Sequence, residues 1–202
     1  MTAPVTLLAV SKGQSVEAIR QAVAAGQKSF GENYVQEAVQ KMQSLPALEW
    51  HLIGPLQSNK TRVAAERFDW VQTLASEKIA RRLSEQRPAD RAPLNVLIQV
   101  NVSGEATKKG IEGAQALALA RRVSTLPRLR LRGLMAIPEP GAERARYQEV
   151  KEIYDQLKGE FAFDTLSMGM SDDLEVAIAE GATLVRIGTA IFGARPKAKS
   201  AA

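Results

Sequence analysis

The sequence predicts an α/β protein folded as a single-domain (β/α)8 TIM barrel. Eight strand-like apolar runs alternate with helix-like segments along the 202 residues, and no linker interrupts the alternation. The run at 94–102 also carries Asn95, Gln99 and Asn101, polar side chains that suit a barrel interior or rim. The alternative is an open doubly wound sheet. No Gly-x-Gly-x-x-Gly follows the first strand, so the dinucleotide-binding version of that sheet is poorly supported.

Each strand is predicted from a short run rich in branched apolar residues, which is typical of parallel strands buried on both faces. Strands are expected at about 6–11, 29–33, 48–54, 70–74, 94–102, 130–137, 164–168 and 184–192. Helices are expected at about 15–25, 34–44, 58–67, 76–86, 111–125, 143–158 and 172–181. Ser15 is predicted to cap the first helix, and Ser171 the last one, where two aspartates follow it.

The two ends of the chain leave one helix unaccounted for. Seven helices are predicted for eight positions around the barrel, because the first strand begins almost at residue 1. The barrel is assigned to residues 1–193, and 194–202 form a polar tail too small for an amphipathic helix. We therefore expect an exposed apolar flank between the first and the last strand.

Composition excludes several classes of protein. The absence of cysteine rules out disulfides and thiol catalysis, and a single histidine, His51, disfavours a histidine-rich metal site or a catalytic triad. No apolar stretch is long enough to span a bilayer and no signal-peptide profile is present, so a cytoplasmic protein is predicted. The net charge of +5 invites a nucleic-acid hypothesis, but no RNA-binding aromatic signature accompanies the arginines, and an anionic small ligand is favoured instead.

Lys12 is the first candidate functional residue. It follows the apolar run at 6–10, where a lysine is costly to desolvate unless a group pairs with it. An amine in such a place can lose its proton and attack a carbonyl, which is how lysines form Schiff bases. The alternative is a strand-end lysine whose ammonium group simply reaches solvent.

The last two strands suggest a phosphate site. Their ends carry Ser167 with Gly169, and Gly188 with Thr189. Each pair combines a glycine, which lets backbone approach a ligand closely, with a hydroxyl that can bind a phosphate oxygen. Phosphate often binds at these two loops in (β/α)8 enzymes, although two ordinary turns would look similar.

Arg186 adds a buried cation to this end of the barrel. It lies between Val185 and Ile187, and its charge must be paired or serve a ligand, because it cannot be removed. Asn33 and His51, near the ends of the second and third strands, are further candidate ligand contacts or satisfied structural groups. A strand-end lysine, a phosphate site and a buried arginine together fit pyridoxal phosphate.

Six long motifs carry a family resemblance. They are LAVSK at 8–12, FGENYVQE at 30–37, WHLIGPLQSNK at 50–60, RGLMAI at 132–137, SMGMSDD at 167–173 and VRIGTAIFG at 185–193. These motifs closely resemble the YggS/PROSC family of pyridoxal phosphate homeostasis proteins, over nearly the whole chain. Two departures are the family's N-terminal helical segment, missing here, and Gln14, where many bacterial members have a second lysine.

The resemblance implies a barrel like the N-terminal domain of alanine racemase, and a cofactor carrier without established catalysis. Lys12 would hold pyridoxal phosphate as an aldimine, with Arg186 at the pyridine nitrogen and Asn33 near the Schiff base. The phosphate would lie against Ser167, Gly169, Gly188 and Thr189. Pyridoxal phosphate-dependent apoenzymes would be the recipients of the cofactor.

Three rival functions remain at this stage. A racemase or decarboxylase of the same barrel type would need an opposing acid or base, usually supplied by a second β-domain and a dimer partner. This chain has no room for that domain, so we expect a non-catalytic monomer. A barrel aldolase would use Lys12 without a cofactor, and an RNA-binding module would show salt-dependent affinity.

Overall fold

The protein folds into a closed barrel of eight parallel strands surrounded by helices. The computed structural model describes residues 4–103, 109–139 and 141–193. Neighbouring strands pair in parallel in the order β4-β3-β2-β1-β9-β8-β7-β5, and β4 pairs with β5 to close the ring. A two-residue strand, β6, pairs with the end of β5 outside the ring. The predicted single-domain TIM barrel is confirmed.

The strands and helices follow the predicted alternation. The strands are β1 (Thr6–Val10), β2 (Ser29–Glu32), β3 (Glu49–Leu52), β4 (Trp70–Leu74), β5 (Leu94–Asn101), β6 (Ile111–Glu112), β7 (Leu129–Ala136), β8 (Thr165–Ser167) and β9 (Leu184–Ile187). The helices are α1 (Val16–Ala24), α2 (Val35–Ser44), α3 (Thr61–Arg67), α4 (Glu77–Gln86), α5 (Ala116–Ser124), α6 (Arg144–Phe161), α7 (Leu174–Ala179) and α8 (Thr189–Phe192). Among these helices, α6 is the longest, with 18 residues.

Two separate environments lie on the two sides of each strand, because side chains alternate along a strand. The main apolar core lies between the strands and the helices and includes Ile19, Phe30 and Leu83. Inside the ring, Leu8 packs with Ile53 and Leu184, and Trp70 packs with Leu97 and Met135. The remaining interior is polar, and that polar part holds the candidate site.

Two local predictions are corrected by the structure. The strand expected at 184–192 ends at Ile187, and Thr189–Phe192 form the short helix α8. A short apolar run bounded by glycines fits a strand or a helix equally well, so its periodicity could not distinguish the two. The helix expected at 172–181 begins only at Leu174, with Asp173 rather than Ser171 at the capping position. Ser15, in contrast, caps α1 as predicted, its hydroxyl accepting from the Ala18 amide at 3.2 Å.

The outer side of β1 is partly uncovered. Leu7 is 42% exposed there, and Ile191 on α8 is 37% exposed. Both lie where the sequence predicted an apolar flank. The predicted tail, 194–202, lies outside the described residues. No helix in the described ranges combines the length and apolar character needed to cross a membrane.

Candidate functional site

A cavity of about 250 Å³ opens at the carboxyl ends of the strands. Active sites of this fold lie at that end, because the loops that follow the strands converge there. Five of the residues predicted from the sequence line this cavity, namely Lys12, Asn33, Arg186, Gly188 and Thr189. The other three, His51, Ser167 and Gly169, lie outside its lining.

Lys12 follows β1 by two residues and enters the cavity half-buried. Hydrogen bonds from a group of charged side chains hold the residues on either side of Lys12. We call Ser11, Glu32, Glu37 and Lys41 the anchor cluster. The Lys41 Nζ donates to the Ser11 carbonyl, to Glu32 Oε1 and to Glu37 Oε1, each at 2.7 Å.

The two carboxylates of the anchor cluster also bind the residues on either side of Lys12. Glu32 Oε1 accepts from the Ser11 hydroxyl at 2.5 Å, and Glu37 Oε1 accepts from the Gly13 amide at 2.6 Å. The backbone on both sides of Lys12 is therefore fixed by the same three charged side chains. A reactive amine gains from such support, because its position must be set before the ligand arrives.

Burial and pairing act in opposite directions on the two carboxyl groups. Burial raises the pKa of Glu32 above its ordinary value, although hydrogen bonds from Lys41 and Ser11 oppose the shift. Burial also acts to raise the pKa of Glu37, but the hydrogen bonds from Lys41 and the Gly13 amide outweigh it and lower the pKa. Glu32 is fully buried, so its charge depends on Lys41.

Arg186 supplies the second charged group of the cavity. It is 4% exposed, and its guanidinium donates to Ser167 Oγ at 2.7 Å and to the Ala136 carbonyl at 2.8 Å. Burial lowers the pKa of Arg186 to about 10, so the side chain stays charged at neutral pH. Two of its five N–H groups are thus used by the barrel wall, and the guanidinium is fixed at the cavity floor.

Ser167 and His51 lie beneath the cavity, inside the barrel. The Ser167 hydroxyl donates to Gln72 Oε1 at 2.7 Å, and Gln72 Nε2 lies 2.9 Å from His51 Nδ1. His51 Nε2 lies 2.9 Å from Glu49 Oε1. The side chains of Ser167 and His51 therefore connect Arg186 with Glu49 and do not face the cavity.

His51 is expected to be mostly neutral at pH 6.5, where an unperturbed histidine is half protonated. Burial lowers its pKa, although the hydrogen bond with Glu49 opposes the shift. Because the pKa of His51 is lower in the folded state than in the unfolded state, protonation favours the unfolded state. The free energy of unfolding is therefore highest above about pH 6.5 and decreases as the pH falls below that value. The midpoint of the histidine ring titration, followed by NMR, should lie at a lower pH in the folded protein than in the urea-unfolded chain. A folded-state midpoint at or above 6.5 would contradict this.

The loops after β8 and β9 contribute to the cavity wall, and β9 lies next to β1, the strand that precedes Lys12. Gly169 has φ of +96°, and a Cβ there would lie 2.6 Å from Ala177 Cβ, so only glycine allows α7 to pack against β8. The Gly169 carbonyl accepts from the Arg186 amide at 2.9 Å, which joins the loop after β8 to strand β9. Gly188 and Thr189 line the cavity where β9 passes into α8.

Asn33 is held in place by a glycine on the neighbouring loop. A Cβ on Gly54 would lie 2.1 Å from the Asn33 carbonyl oxygen, so the two backbones approach as closely as glycine allows. A Gly54→Ala variant is expected to lose about 1–3 kcal/mol of unfolding free energy and to displace Asn33 from the cavity wall. Denaturant unfolding measures this loss. Gly159→Ala is the control, since a Cβ there contacts nothing within 4 Å. Equal stability of the two variants would contradict the steric argument.

Several lining residues were missed by the sequence prediction. They are Val10, Gln14, Ile53, Ile137, Met170, Ser171, Asp172 and Gly193. Ser171 was interpreted as a helix cap, yet it lines the cavity beside Thr189. Its position one turn past the end of β8 was the available signal, because residues just beyond the strands of a barrel form the site. Gln72 and Glu49 gave no signal, since isolated polar residues in strands are common.

Comparison with known proteins identifies the family. The family model described as "Alanine racemase, N-terminal domain" matches residues 1–196. A protein of Escherichia coli K12 named pyridoxal phosphate homeostasis protein is 56% identical, over 96% of this chain and 88% of its own length. The protein of the same name from Vibrio cholerae is 57% identical, over 98% of this chain and 88% of its own. The chain belongs to the pyridoxal phosphate homeostasis protein family.

Solved structures agree with this assignment. The family member PipY from Synechococcus elongatus, solved with PLP bound, is 39% identical and superposes with a TM-score of 0.85. The match covers 94% of this chain and 92% of PipY. An alanine racemase of Clostridium difficile gives a TM-score of 0.77 at 14% identity, covering 98% of this chain and 54% of the racemase. That second likeness shows the shared barrel alone.

Proposed function

We propose that this chain binds pyridoxal phosphate at the cavity and holds it covalently on Lys12. The observation that carries the proposal is the presence of Lys12 and the buried guanidinium of Arg186 in the lining of one small cavity. An amine suits the aldehyde of the cofactor, and a fixed cation with spare N–H groups suits its ring nitrogen. PipY, solved with PLP bound, supports the same ligand.

The phosphate would lie at the loops after β8 and β9. Gly188, Thr189 and Ser171 offer backbone and hydroxyl groups to its oxygens on that wall of the cavity. Gly169 contributes by letting α7 approach, and Ser167 contributes through Arg186. In this arrangement Lys12 would hold the aldehyde of the cofactor, and the loops after β8 and β9 would hold its phosphate.

The same geometry favours holding the cofactor over catalysis. When bound, pyridoxal phosphate supplies an aldehyde that captures amines and a ring that withdraws electrons when its nitrogen is protonated. Arg186 is itself a charged donor, so it disfavours that protonation. Among the described residues, the lining of this cavity includes no histidine, tyrosine or cysteine, and Asp172 is its only carboxyl group. We infer a monomeric, cytoplasmic carrier that passes the cofactor to apoenzymes, and the relatives named for pyridoxal phosphate homeostasis support a role in handling this cofactor.

Loading and turnover separate this function from the racemase alternative. The protein is incubated with excess pyridoxal phosphate and gel-filtered, and it should keep a yellow absorbance band with a stoichiometry near one. The loaded protein should not racemise or decarboxylate amino acids faster than Lys12→Ala. A protein that remains colourless would contradict the binding site. Turnover that disappears in Lys12→Ala would contradict the carrier.

A further inference from the structure

A continuous chain of hydrogen bonds crosses the barrel interior from the cavity to its opposite end. It runs from Arg186 through Ser167, Gln72 and His51 to Glu49, with successive distances of 2.7, 2.7, 2.9 and 2.9 Å. Ser167 and Gln72 are fully buried, and His51 is 1% exposed. The Glu49 side chain is 45% exposed at the amino ends of the strands.

The two ends of this chain, together with a neutral His51, fix the direction of every bond within it. A guanidinium can only donate, and an ionised carboxylate can only accept. Ser167 must therefore accept from Arg186 and donate to Gln72 Oε1. Gln72 Nε2 then donates to His51 Nδ1, and His51 Nε2–H donates to Glu49. The hydrogen bond from His51 lowers the pKa of Glu49 below its ordinary value, so the carboxylate is ionised at neutral pH.

We propose that Ser167, Gln72, His51 and Glu49 form a polarised relay that positions Arg186 for the ligand. This inference rests on the proposed function, because it assigns these four residues a role in the same cavity. None of the four lines the cavity, so each acts through its neighbour in the relay. They are positioning residues. His51 and Ser167, predicted as cofactor contacts, belong to this set.

The relay has a consequence for ligand binding. A buried guanidinium without Ser167 would keep only the Ala136 carbonyl and would turn within the cavity floor. With the relay intact, the remaining N–H groups of Arg186 keep one orientation towards the cavity before the ligand binds. A ligand that accepts a hydrogen bond from Arg186 weakens the hydrogen bond between Arg186 and Ser167. The polarisation of the next hydrogen bonds, from Ser167 to Gln72 and from Gln72 to His51, then changes as well.

The single histidine makes this coupling measurable. In histidine-labelled protein, ¹⁵N NMR should show a neutral ring with the proton on Nε2 and an accepting Nδ1. Loading with pyridoxal phosphate should shift the Nδ1 signal. A Gln72→Leu variant should lose that response. Ser84→Ala removes a buried hydroxyl that donates to the Pro127 carbonyl outside the relay, and it should keep the response.

Affinity provides the second readout. Ser167→Ala and Gln72→Leu should raise the Kd for pyridoxal phosphate about tenfold, since each breaks the support of a charged group. Ser167→Thr, which keeps the hydroxyl, should recover most of the affinity, and Ser84→Ala should bind as the unaltered protein does. If either buried variant fails to fold, Glu49→Gln at the exposed end should shift the His51 signal and weaken binding about threefold.

The outcomes separate the relay from the proposed function. Unaltered protein that does not load with pyridoxal phosphate would overturn the function. The ring tautomer of the unloaded protein would still test the relay, and a proton on Nδ1 would overturn it. The relay alone would be overturned by a different result: the unaltered protein loads, and the Gln72→Leu variant binds pyridoxal phosphate equally well and shows the same response at His51.

Discussion

A Lys41→Met variant is expected to lose about 3–5 kcal/mol of unfolding free energy, because it leaves Glu32 buried without its cation. Lys41 is 5% exposed and Glu32 fully buried, so water cannot replace the lost partner. The loss should shrink as the pH is lowered, since protonation removes the uncompensated charge from Glu32. Chemical denaturation at two pH values measures both effects. The variant should also load pyridoxal phosphate more weakly, because the Ser11 carbonyl and Glu37 lose their contact with Lys41.

Two controls isolate the buried charge as the cause. Lys151→Met breaks an exposed ion pair with Asp155, four residues away on α6, as Glu37 is four residues from Lys41 on α2. It should lower the unfolding free energy by less than about 1 kcal/mol. The double variant Lys41→Met/Glu32→Gln removes both charges and should recover much of the lost stability. If Lys41→Met proved as mild as Lys151→Met, the buried anchor cluster would not carry the stability assigned to it.

An Arg186→Leu variant is expected to bind pyridoxal phosphate about 10- to 150-fold more weakly, the cost of losing a hydrogen bond to a charged group. The substitution leaves the Ala136 carbonyl and the Ser167 hydroxyl without their donor, so the unloaded protein should lose about 1–3 kcal/mol of unfolding free energy and remain folded. The increase in Tm on loading should shrink with the affinity. Calorimetric titration and paired thermal melts measure the two quantities.

Arg186→Lys is the matched control for charge. A lysine keeps the positive charge but cannot donate to Ser167 and Ala136 with the planar fork of a guanidinium. It should therefore recover only part of the affinity. Unchanged affinity in Arg186→Leu would show that this side chain does not face the ligand, and would remove the main argument for its role at the ring.

The fold was predictable because its strands are largely buried and short, while its helices are amphipathic. Runs such as Leu94–Asn101 stand out against helices such as Glu77–Gln86, whose charged residues lie on one face. The failures came where that contrast is missing. Thr189–Phe192 is too short for a helical period, and Ser171 and Asp173 are both plausible caps.

The candidate site was predictable only where position along a strand implies position in the barrel. Lys12, Asn33, Arg186, Gly188 and Thr189 follow or end strands, and the fold brings such residues together. The anchor cluster and the relay depend on pairings between distant residues, such as Ser167 with Gln72, 95 positions apart. Sequence spacing gives no sign of the contact between Ser167 and Gln72, because β8 and β4 are not neighbours in the sheet.

The central claim is that Lys12 holds pyridoxal phosphate covalently in this cavity. Reduction of the loaded protein with borohydride, followed by proteolysis and mass spectrometry, tests it most directly. The account predicts about one reduced cofactor per chain, located on the peptide that contains Lys12. Label spread over surface lysines, with none enriched at Lys12, would contradict it.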